Sequence, residues 1–506
     1  MNLIELLREN CERLGRKPAF IEKGAATGYD AFYRRVRGLA AGLLARGIGA
    51  GDNVLVLMPL SLDLYASLCA VWAAGACVVV FDPSAGRKHV AACLEAIPAA
   101  AFVGSRQTLL LRLPYRPLRR IPRHFTPARL YASVAADFAI APAEPDTPAL
   151  ITFTSGSTGL PKAIVRSHGF LLEQRAALTA ALPYRRDDVD LAVLAVFTLV
   201  NLLEGVTTVL PDDSLRDIAK VNAGKLVRQM QSCGVTRITA SPKLLEKLSV
   251  WALAHGKRLD QLRSVNIGGG PVYLDVLDTV AQATDPRAIR LVYGSSEAEP
   301  IAELPFSAIT PEDRRSMQEG GGLLAGAPAA GVSLRIIAAR AGPLTAGDLT
   351  PLAEGQWGEI AVAGRHVVRG YLNPAQDRLT KVPAGAVLWH RTGDCGFLDA
   401  RGRLWLLGRV SQVLSTPRGP VFPFAVEGAL RAKYRCLAAV CAVDGKPVLA
   451  VEPNSMTEHI RREYGSRFSV VTVKKIPLDR RHSSKVDYTA LAGLVRRAKR
   501  NRADPE

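Results

Sequence analysis

Residues Thr152–Gly169 read TFTSGSTGLPKAIVRSHG. Four small hydroxyl residues, Thr154, Ser155, Ser157 and Thr158, are interleaved with Gly156 and Gly159 and followed by Lys162. Glycine lets the backbone approach an anion closely, and hydroxyls and amides supply donors without bulk, so the stretch suits phosphate. It is not a Walker A loop, which requires G-x-x-x-x-G-K-[ST]. Counted from Gly156, the second glycine position is Pro161, and Ala163 stands where the magnesium-binding hydroxyl belongs. Pro148–Phe153 reads as a strand and Ser167 onward as a helix, a setting that phosphates favour. A plain polar turn has the same composition.

Four further stretches carry groups able to act on a nucleotide. They are VYGSSEAEP (Val292–Pro300), GQWGEIAVAG (Gly355–Gly364), WHRTGDCGFLDARGRLWLLGR (Trp389–Arg409) and IPLDRRHSSKVDY (Ile476–Tyr488). Singly, a TGD is a turn and a lysine near a C-terminus is solvated. In this order and spacing the five stretches resemble the adenylate-forming superfamily of acyl-CoA synthetases, peptide-synthetase adenylation domains and luciferases. The resemblance runs from about Pro18 to Leu491.

It implies that a carboxylate attacks the α-phosphorus of ATP, expelling pyrophosphate and leaving an acyl-adenylate. Such a transfer depends on positioning and on neutralising charge. By the same resemblance Thr154–Lys162 holds the β- and γ-phosphates. Glu297 binds Mg2+, a hard cation suited to carboxylate oxygen. Ser296 stands where the family usually has threonine, near the α-phosphate, beside Gly294 and Ser295. Tyr293 stacks on adenine, and Gly268, Gly269 and Gly270 give the ring close backbone approach. Asp394 accepts hydrogen bonds from the ribose, a task for an acceptor-only group, and Arg409 contacts the nucleotide. Lys485 is the catalytic lysine, its ammonium bridging carboxylate and phosphate.

The acid and the second step are less marked. The family's aromatic–histidine pair is incomplete in AVFTLVNLLEG (Ala195–Gly205): Phe197 fits, and no histidine follows. Phe197 and Asn201 are candidates for the acid pocket. No fixed charges suit an amino-acid substrate there, so an acyl chain is expected. Ser411 replaces a charged hinge residue, and Ser484-Lys485 replaces the usual glycine–lysine. Together GPVFPFAVE (Gly419–Glu427) and DRRHSSK are similar to the branch containing the β-lactone synthetases of olefin biosynthesis, which close a 2-alkyl-3-hydroxy acid through its own hydroxyl. An internal nucleophile gains a large effective concentration, so no external thiol is needed. Three readings follow: acyl activation ending on coenzyme A or a carrier-protein phosphopantetheine, lactone closure, and nucleotide binding without turnover. Lys162, Glu297, Asp394, Arg409 and Lys485 argue against the third.

These groups need a scaffold, and the chain alternates strand and helix signals. Asn53–Met58, Cys77–Phe81, Leu191–Phe197, Arg237–Ala240 and Ser264–Ile267 read as strands near helices such as Leu62–Ala74 and Ala223–Gln231. That alternation predicts an α/β fold of parallel sheets covered by helices. Strands around Leu334–Ile337 and Gly358–Val362 lack long helices and suggest a β-rich subdomain. The expected division is a large unit over 1–408 and a small α+β unit over 409–506 that carries Lys485.

The 506 residues are 48% hydrophobic and 22% charged with a net charge of +19, the composition of a globular protein with anionic partners. Solvated basic faces account for the same excess, and an acidic acyl carrier protein is one candidate partner. No zinc-finger or stacked-aromatic motif supports nucleic acid. Eight scattered cysteines suggest reduced thiols and a cytoplasmic setting. The amphipathic start MNLIELLRENCERLG is not expected to be a signal peptide, and Tyr65–Phe81 is expected to be a buried helix and strand rather than a transmembrane segment.

Overall fold

The computed structural model describes residues 2–82, 86–131, 138–155, 161–479 and 484–503, with the backbone alone at 154, 155 and 499–503. The helix Leu62–Ala73 shows how the interior is set. Ser61 caps it by accepting from the Leu64 amide, and its alanines and leucines bury almost every position. Such an all-round apolar helix belongs inside a layered protein. Trp72 Nε1 donates to the Ala149 carbonyl at 2.7 Å, joining this helix to the strand that leads into the hydroxyl-rich loop.

Two sheets carry most of the chain. One has six strands, in the order Arg123–Phe125, Ala101–Gly104, Asn53–Leu57, Cys77–Val80, Pro148–Ser155 and Pro161–Ser167. All neighbours are parallel except the last pair, which is antiparallel, with Thr154 opposite Lys162. The hydroxyl-rich stretch therefore joins two strands, and the expected strand–loop–helix becomes strand–loop–strand–helix. The helix His168–Ala181 begins only after the second strand, capped by Ser167; in that strand Ala163 and Val165 share one face and Ile164 and Arg166 the other, and the β-branched pair suits a sheet.

The other sheet has fourteen strands. Its centre runs parallel through Val189–Leu191, Arg237–Ala240, Ser264–Gly268 and Ile289–Ser295. An antiparallel return, Ala298–Pro305, links it through Leu323–Pro328 to Leu404–Arg409, Val387–Leu398, Gly358–Ala363 and Ser333–Ile337. The β-rich part expected from the sequence is thus hydrogen-bonded into the main sheet. One expected strand is corrected: Leu191–Phe197 ends at Leu191, and Ala195–Glu204 is a helix closed by Gly205 at φ 75°. A short apolar run fits a buried helix or a buried strand equally well, and here the left-handed glycine stop settles it.

Beyond Arg409 come the hairpin Leu414–Thr416/Gly419–Val421, the helix Pro423–Tyr434, a three-stranded sheet (Ala438–Val443, Lys446–Val451, Ser469–Thr472) and the helices Thr457–Tyr464 and Tyr488–Ala503. Two apolar clusters lie wholly within this part, one around Leu430 and Leu449, the other around Val448 and Leu491. Among the described residues no helix is long and apolar enough to cross a membrane.

Candidate active site

The site forms where the hairpin Ile289–Ser295/Ala298–Pro305 meets the end of the strand Val387–Leu398. Tyr293 Oη donates to Asp394 Oδ2 at 2.6 Å. Arg409 Nε pairs with Asp394 Oδ1 at 2.8 Å, and Asp394 and Arg409 face each other across neighbouring strands. Burial first, then Asp394, hold the Tyr293 phenol protonated far beyond its ordinary range. Asp394 in turn raises the Arg409 guanidinium, against the cost of burial. The Tyr293 ring is thereby fixed on a carboxylate that retains lone pairs for further donors.

Glu297 sits in the turn of the same hairpin. Ser295 Oγ accepts from the amides of Glu297 and Ala298, at 3.3 and 3.2 Å, which shapes the turn. Tyr371 Oη donates to Glu297 Oε1 at 2.8 Å. Ser296 is exposed, and its carbonyl accepts from Arg166 Nη2 at 2.5 Å. Arg166 Nη1 also donates to Thr152 Oγ1 at 2.6 Å, tying the strand before the hydroxyl-rich loop to the Glu297 turn. Burial lifts the Glu299 carboxyl to about 7, opposed by the positive charges of Arg166 and Lys485.

Lys162 lies with Nζ 5.2 Å from the centre of the Tyr371 ring, within cation–π range. One tyrosine therefore touches both the lysine and the Glu297 carboxylate. Lys381 donates to the Val368 carbonyl and sits 5.9 Å from the same ring. Burial pushes its ammonium down to about 8, against Glu297 and Asp377. Gly156, Ser157, Thr158 and Gly159 lie outside the described residues, as does His482, and Thr154 and Ser155 are described by backbone alone.

The glycine run has a steric reason at two positions. A Cβ on Gly268 would lie 2.6 Å from the Val292 carbonyl oxygen, and one on Gly270 would lie 2.6 Å from Ser484 Cβ. Gly269 adopts φ 80° between them. A Cβ on Gly294 would meet Glu299 Cγ at 3.1 Å. Asp479 Oδ1 accepts from the amides of Ser484 and Lys485, at 3.1 and 2.9 Å, and the Asp479 amide donates to the Lys485 carbonyl. That closed turn sets exposed Lys485 on the face where its charge reaches Glu299.

A buried contact behind the site holds this arrangement. Glu427 accepts from Tyr273 Oη and from Tyr488 Oη, each at 2.9 Å, and from the Val440 amide at 3.3 Å. Arg431 pairs with Asp275 at 2.9 Å and lies 4.5 Å over the Tyr273 ring. Sequence reasoning missed Arg166, Tyr371, Glu299 and Glu427. For Arg166 the available signal was an arginine on the same face as Ile164 in a strand whose middle, Ala163–Val165, is apolar.

The two acid-pocket candidates differ. Phe197 packs with Leu178, Leu182, Val200 and Val292, a wall of the Tyr293 strand. Asn201 is fully buried, and its amide donates to Asp190 Oδ2 at 2.8 Å and Thr208 Oγ1 at 3.2 Å. The Asn201 amide is thus engaged in an internal network.

The chain belongs to the AMP-binding enzyme family, whose pattern matches residues 7–372. It is an adenylate-forming enzyme, and nucleotide binding without turnover is set aside. Its relatives include an olefin β-lactone synthetase of Stenotrophomonas maltophilia, 29% identical over 97% of this chain and 96% of that protein. A second olefin β-lactone synthetase, from Xanthomonas campestris, is 32% identical over 77% of this chain and 73% of its own length. The amide bond synthetase McbA of Marinactinospora thermotolerans has the same fold, with a TM-score of 0.80 at 22% identity over 97% of this chain and 99% of that one.

Proposed function

We propose that the protein uses ATP and Mg2+ to adenylate a fatty or related carboxylic acid, then passes the acyl group to the thiol of coenzyme A or of a carrier-protein phosphopantetheine. The observation that carries this is the meeting of three parts: the Tyr293–Asp394–Arg409 chain, the Glu297 carboxylate and the turn bearing Lys485. In this reading Tyr293 and Gly268–Gly270 hold adenine, Asp394 and Arg409 the ribose, and Lys162 with the loop before it the terminal phosphates. Ser296 lies along the α-phosphate. Lys485 neutralises the charge that gathers between the carboxylate and the α-phosphorus.

Magnesium fits the donors present. Glu297 offers a half-buried carboxylate, oriented by Tyr371. No cluster of three ligating side chains exists among the described residues. One carboxylate with phosphate oxygens and water is the coordination that Mg2+ prefers. The ion supplies charge neutralisation for the phosphates when bound.

Residues 409–506 are read as the small unit that delivers Lys485, on the strength of its own apolar clusters. Phe197 is read as pocket wall, and the apolar surroundings favour an acyl chain. None of the eight cysteines is in a disulfide, which supports a reducing, cytoplasmic setting. An acidic carrier would be drawn by the net charge of +19 and released by salt.

A second reading is lactone closure by the substrate's own 3-hydroxyl. It is favoured by the relative that aligns with 97% of this chain at 29% identity and is named an olefin β-lactone synthetase. One assay series separates the two. ATP–pyrophosphate exchange with pooled fatty, 3-hydroxy and 2-alkyl-3-hydroxy acids tests adenylation, and product analysis with and without coenzyme A tests the acceptor. Exchange with no acid in any pool would overturn the first step as proposed, and product formed without a thiol would transfer the assignment to lactone closure.

A further inference from the structure

Residues 96–136 contain seven arginines and no aspartate or glutamate. This segment builds one border of the six-stranded sheet: the turn Leu110–Arg112, the short helices Arg106–Leu109 and Arg116–Arg119, and the edge strand Arg123–Phe125. All seven arginines are exposed, and none forms an ion pair among the described residues. Arginines elsewhere in the chain commonly find carboxylates, as Arg391 and Arg403 do. Here the positive charge is left facing solvent.

The same border exposes apolar surface. Leu109, Leu111, Tyr115 and Leu118 turn inward and pack on the core beneath the sheet. Leu110 and Leu113 do not, and are 58% and 63% exposed, the two most exposed large apolar side chains among the described residues. The Leu113 amide donates to the Leu110 carbonyl at 3.0 Å, and residues three apart in such a tight turn lie one above the other. The leucines therefore project together, with Arg112 between them in sequence and Arg116 opening the next short helix. Scattered apolar residues need no explanation, but an exposed leucine pair flanked in the chain by exposed Arg106, Arg112 and Arg116 has a recognisable physical use. Apolar side chains enter the acyl boundary of a bilayer while guanidinium groups stay at the headgroups and their stems cover apolar surface.

We propose that the Leu110–Leu113 turn and its surrounding arginines form a docking surface for an anionic lipid bilayer, holding the enzyme reversibly at a membrane face. Charge complementarity selects negatively charged headgroups, and the leucines select a lipid boundary over a purely polar polyanion. Among the described residues of this segment Tyr131, 51% exposed, is the single exposed aromatic, whereas a single-stranded nucleic acid would require several for successive bases. With no helix among the described residues able to span a bilayer, the proposed attachment rests on the two weak signals together, each insufficient alone. The proposal stands on this surface and is independent of which acid the enzyme activates.

The test is sedimentation of the full-length protein with vesicles of phosphatidylcholine alone or mixed with phosphatidylglycerol. Binding is expected only to the anionic vesicles, and to weaken steeply as salt shortens the screening length from about 10 Å toward 3 Å. Arg112→Glu with Arg116→Glu is expected to lower affinity by at least about 25-fold, since each basic group lost contributes about fivefold near an anionic surface and each new carboxylate adds repulsion. Leu110→Ser with Leu113→Ser keeps the charge and is expected to weaken binding on the order of tenfold. Circular dichroism and ATP–pyrophosphate exchange of both variants, matched to the parent, exclude a folding defect. Two results overturn the proposal. Vesicle binding that ignores the arginine reversal places the contact elsewhere. Binding that depends on the arginines and ignores the leucines makes the patch a site for an acidic macromolecule such as a protein or RNA.

Discussion

Ser484 Cβ lies 2.6 Å from the point that a Cβ on Gly270 would occupy. The turn that carries Lys485 thus rests directly on the glycine run, and glycine at 270 is required by that contact, since Gly270 has no positive φ. Adding a methyl group there pushes the turn away. Gly270→Ala is expected to slow ATP–pyrophosphate exchange roughly tenfold, a displacement of about 1.4 kcal/mol in the barrier. Ser484→Gly in the same chain should restore most of the loss, because the two changes meet at one contact and couple. A double variant no faster than Gly270→Ala alone would refute the steric account.

Lys485→Ala should abolish acyl-adenylate formation while ATP still binds. Removing a single preorganised donor at a developing charge typically costs 10²–10³-fold in rate. Calorimetric titration with ATP and exchange kinetics read the two halves separately. Wild-type pyrophosphate release from this variant would remove Lys485 from the reaction.

Tyr371 orients Glu297 through one O–H and faces Lys162 through its ring. Tyr371→Phe keeps the ring and deletes the donor. Supporting groups behind a metal ligand commonly alter metal affinity 10–100-fold, so the Mg2+ concentration giving half-maximal exchange should rise by about tenfold. Titration calorimetry of ATP with and without Mg2+ should show the loss only when the metal is present.

Arg391 and Glu359 form a pair at 2.6 Å with side chains 8% and 4% exposed. Arg391 also donates to the carbonyls of Arg340 and Gly342, at 2.7 and 2.6 Å. Removing one member leaves an uncompensated buried charge, a cost of about 3–5 kcal/mol. Glu359→Leu is therefore expected to lower the denaturation midpoint markedly, whereas paired replacement of both residues by apolar ones should be far milder.

Glu427 gives stability a pH dependence. Burial lifts its carboxyl to about 7 despite the hydroxyls of Tyr273 and Tyr488, the Val440 amide and the nearby Arg431. An unfolded glutamate titrates near 4.3. Between those values the folded chain keeps a proton that the unfolded chain has released, so this contribution is fully present below about pH 4.3 and is lost as pH rises through about 7. Asp190, lifted by burial to about 6, adds slope of the same sign. Glu427→Gln should flatten the fall in stability across this window relative to the parent, as measured by denaturant titrations at several pH values. Parallel curves would show that the carboxyl is not the source.

Tyr293, Glu297, Asp394 and Lys485 are legible as candidates because they stand in short motifs, and the contacts of Tyr293 with Asp394 and of Ser484 with Gly270 place those motifs near one another. Their partners are harder to read. Arg166 meets Ser296 across 130 positions and Tyr371 meets Glu297 across 74, and no local period encodes such pairs. The parallel sheets followed from alternating strand and helix signals. The helix Ala195–Glu204 did not, because a short, largely apolar run suits a buried strand as well as a helix. Asn201 illustrates the same limit: polarity in an apolar stretch looks like ligand recognition, yet its amide closes a network with Asp190 and Thr208.

The strand Pro161–Ser167 lies at the outer border of the six-stranded sheet, where unpaired amides would invite another chain to add itself. Ile164 bridges to Tyr371, and the Leu372 amide donates to the Ala163 carbonyl at 2.9 Å. The segment that steadies the Glu297 carboxylate thus also seals an adhesive rim of the sheet. One segment thereby fixes the orientation of a carboxylate and leaves the sheet no open edge at this point for a second chain to join.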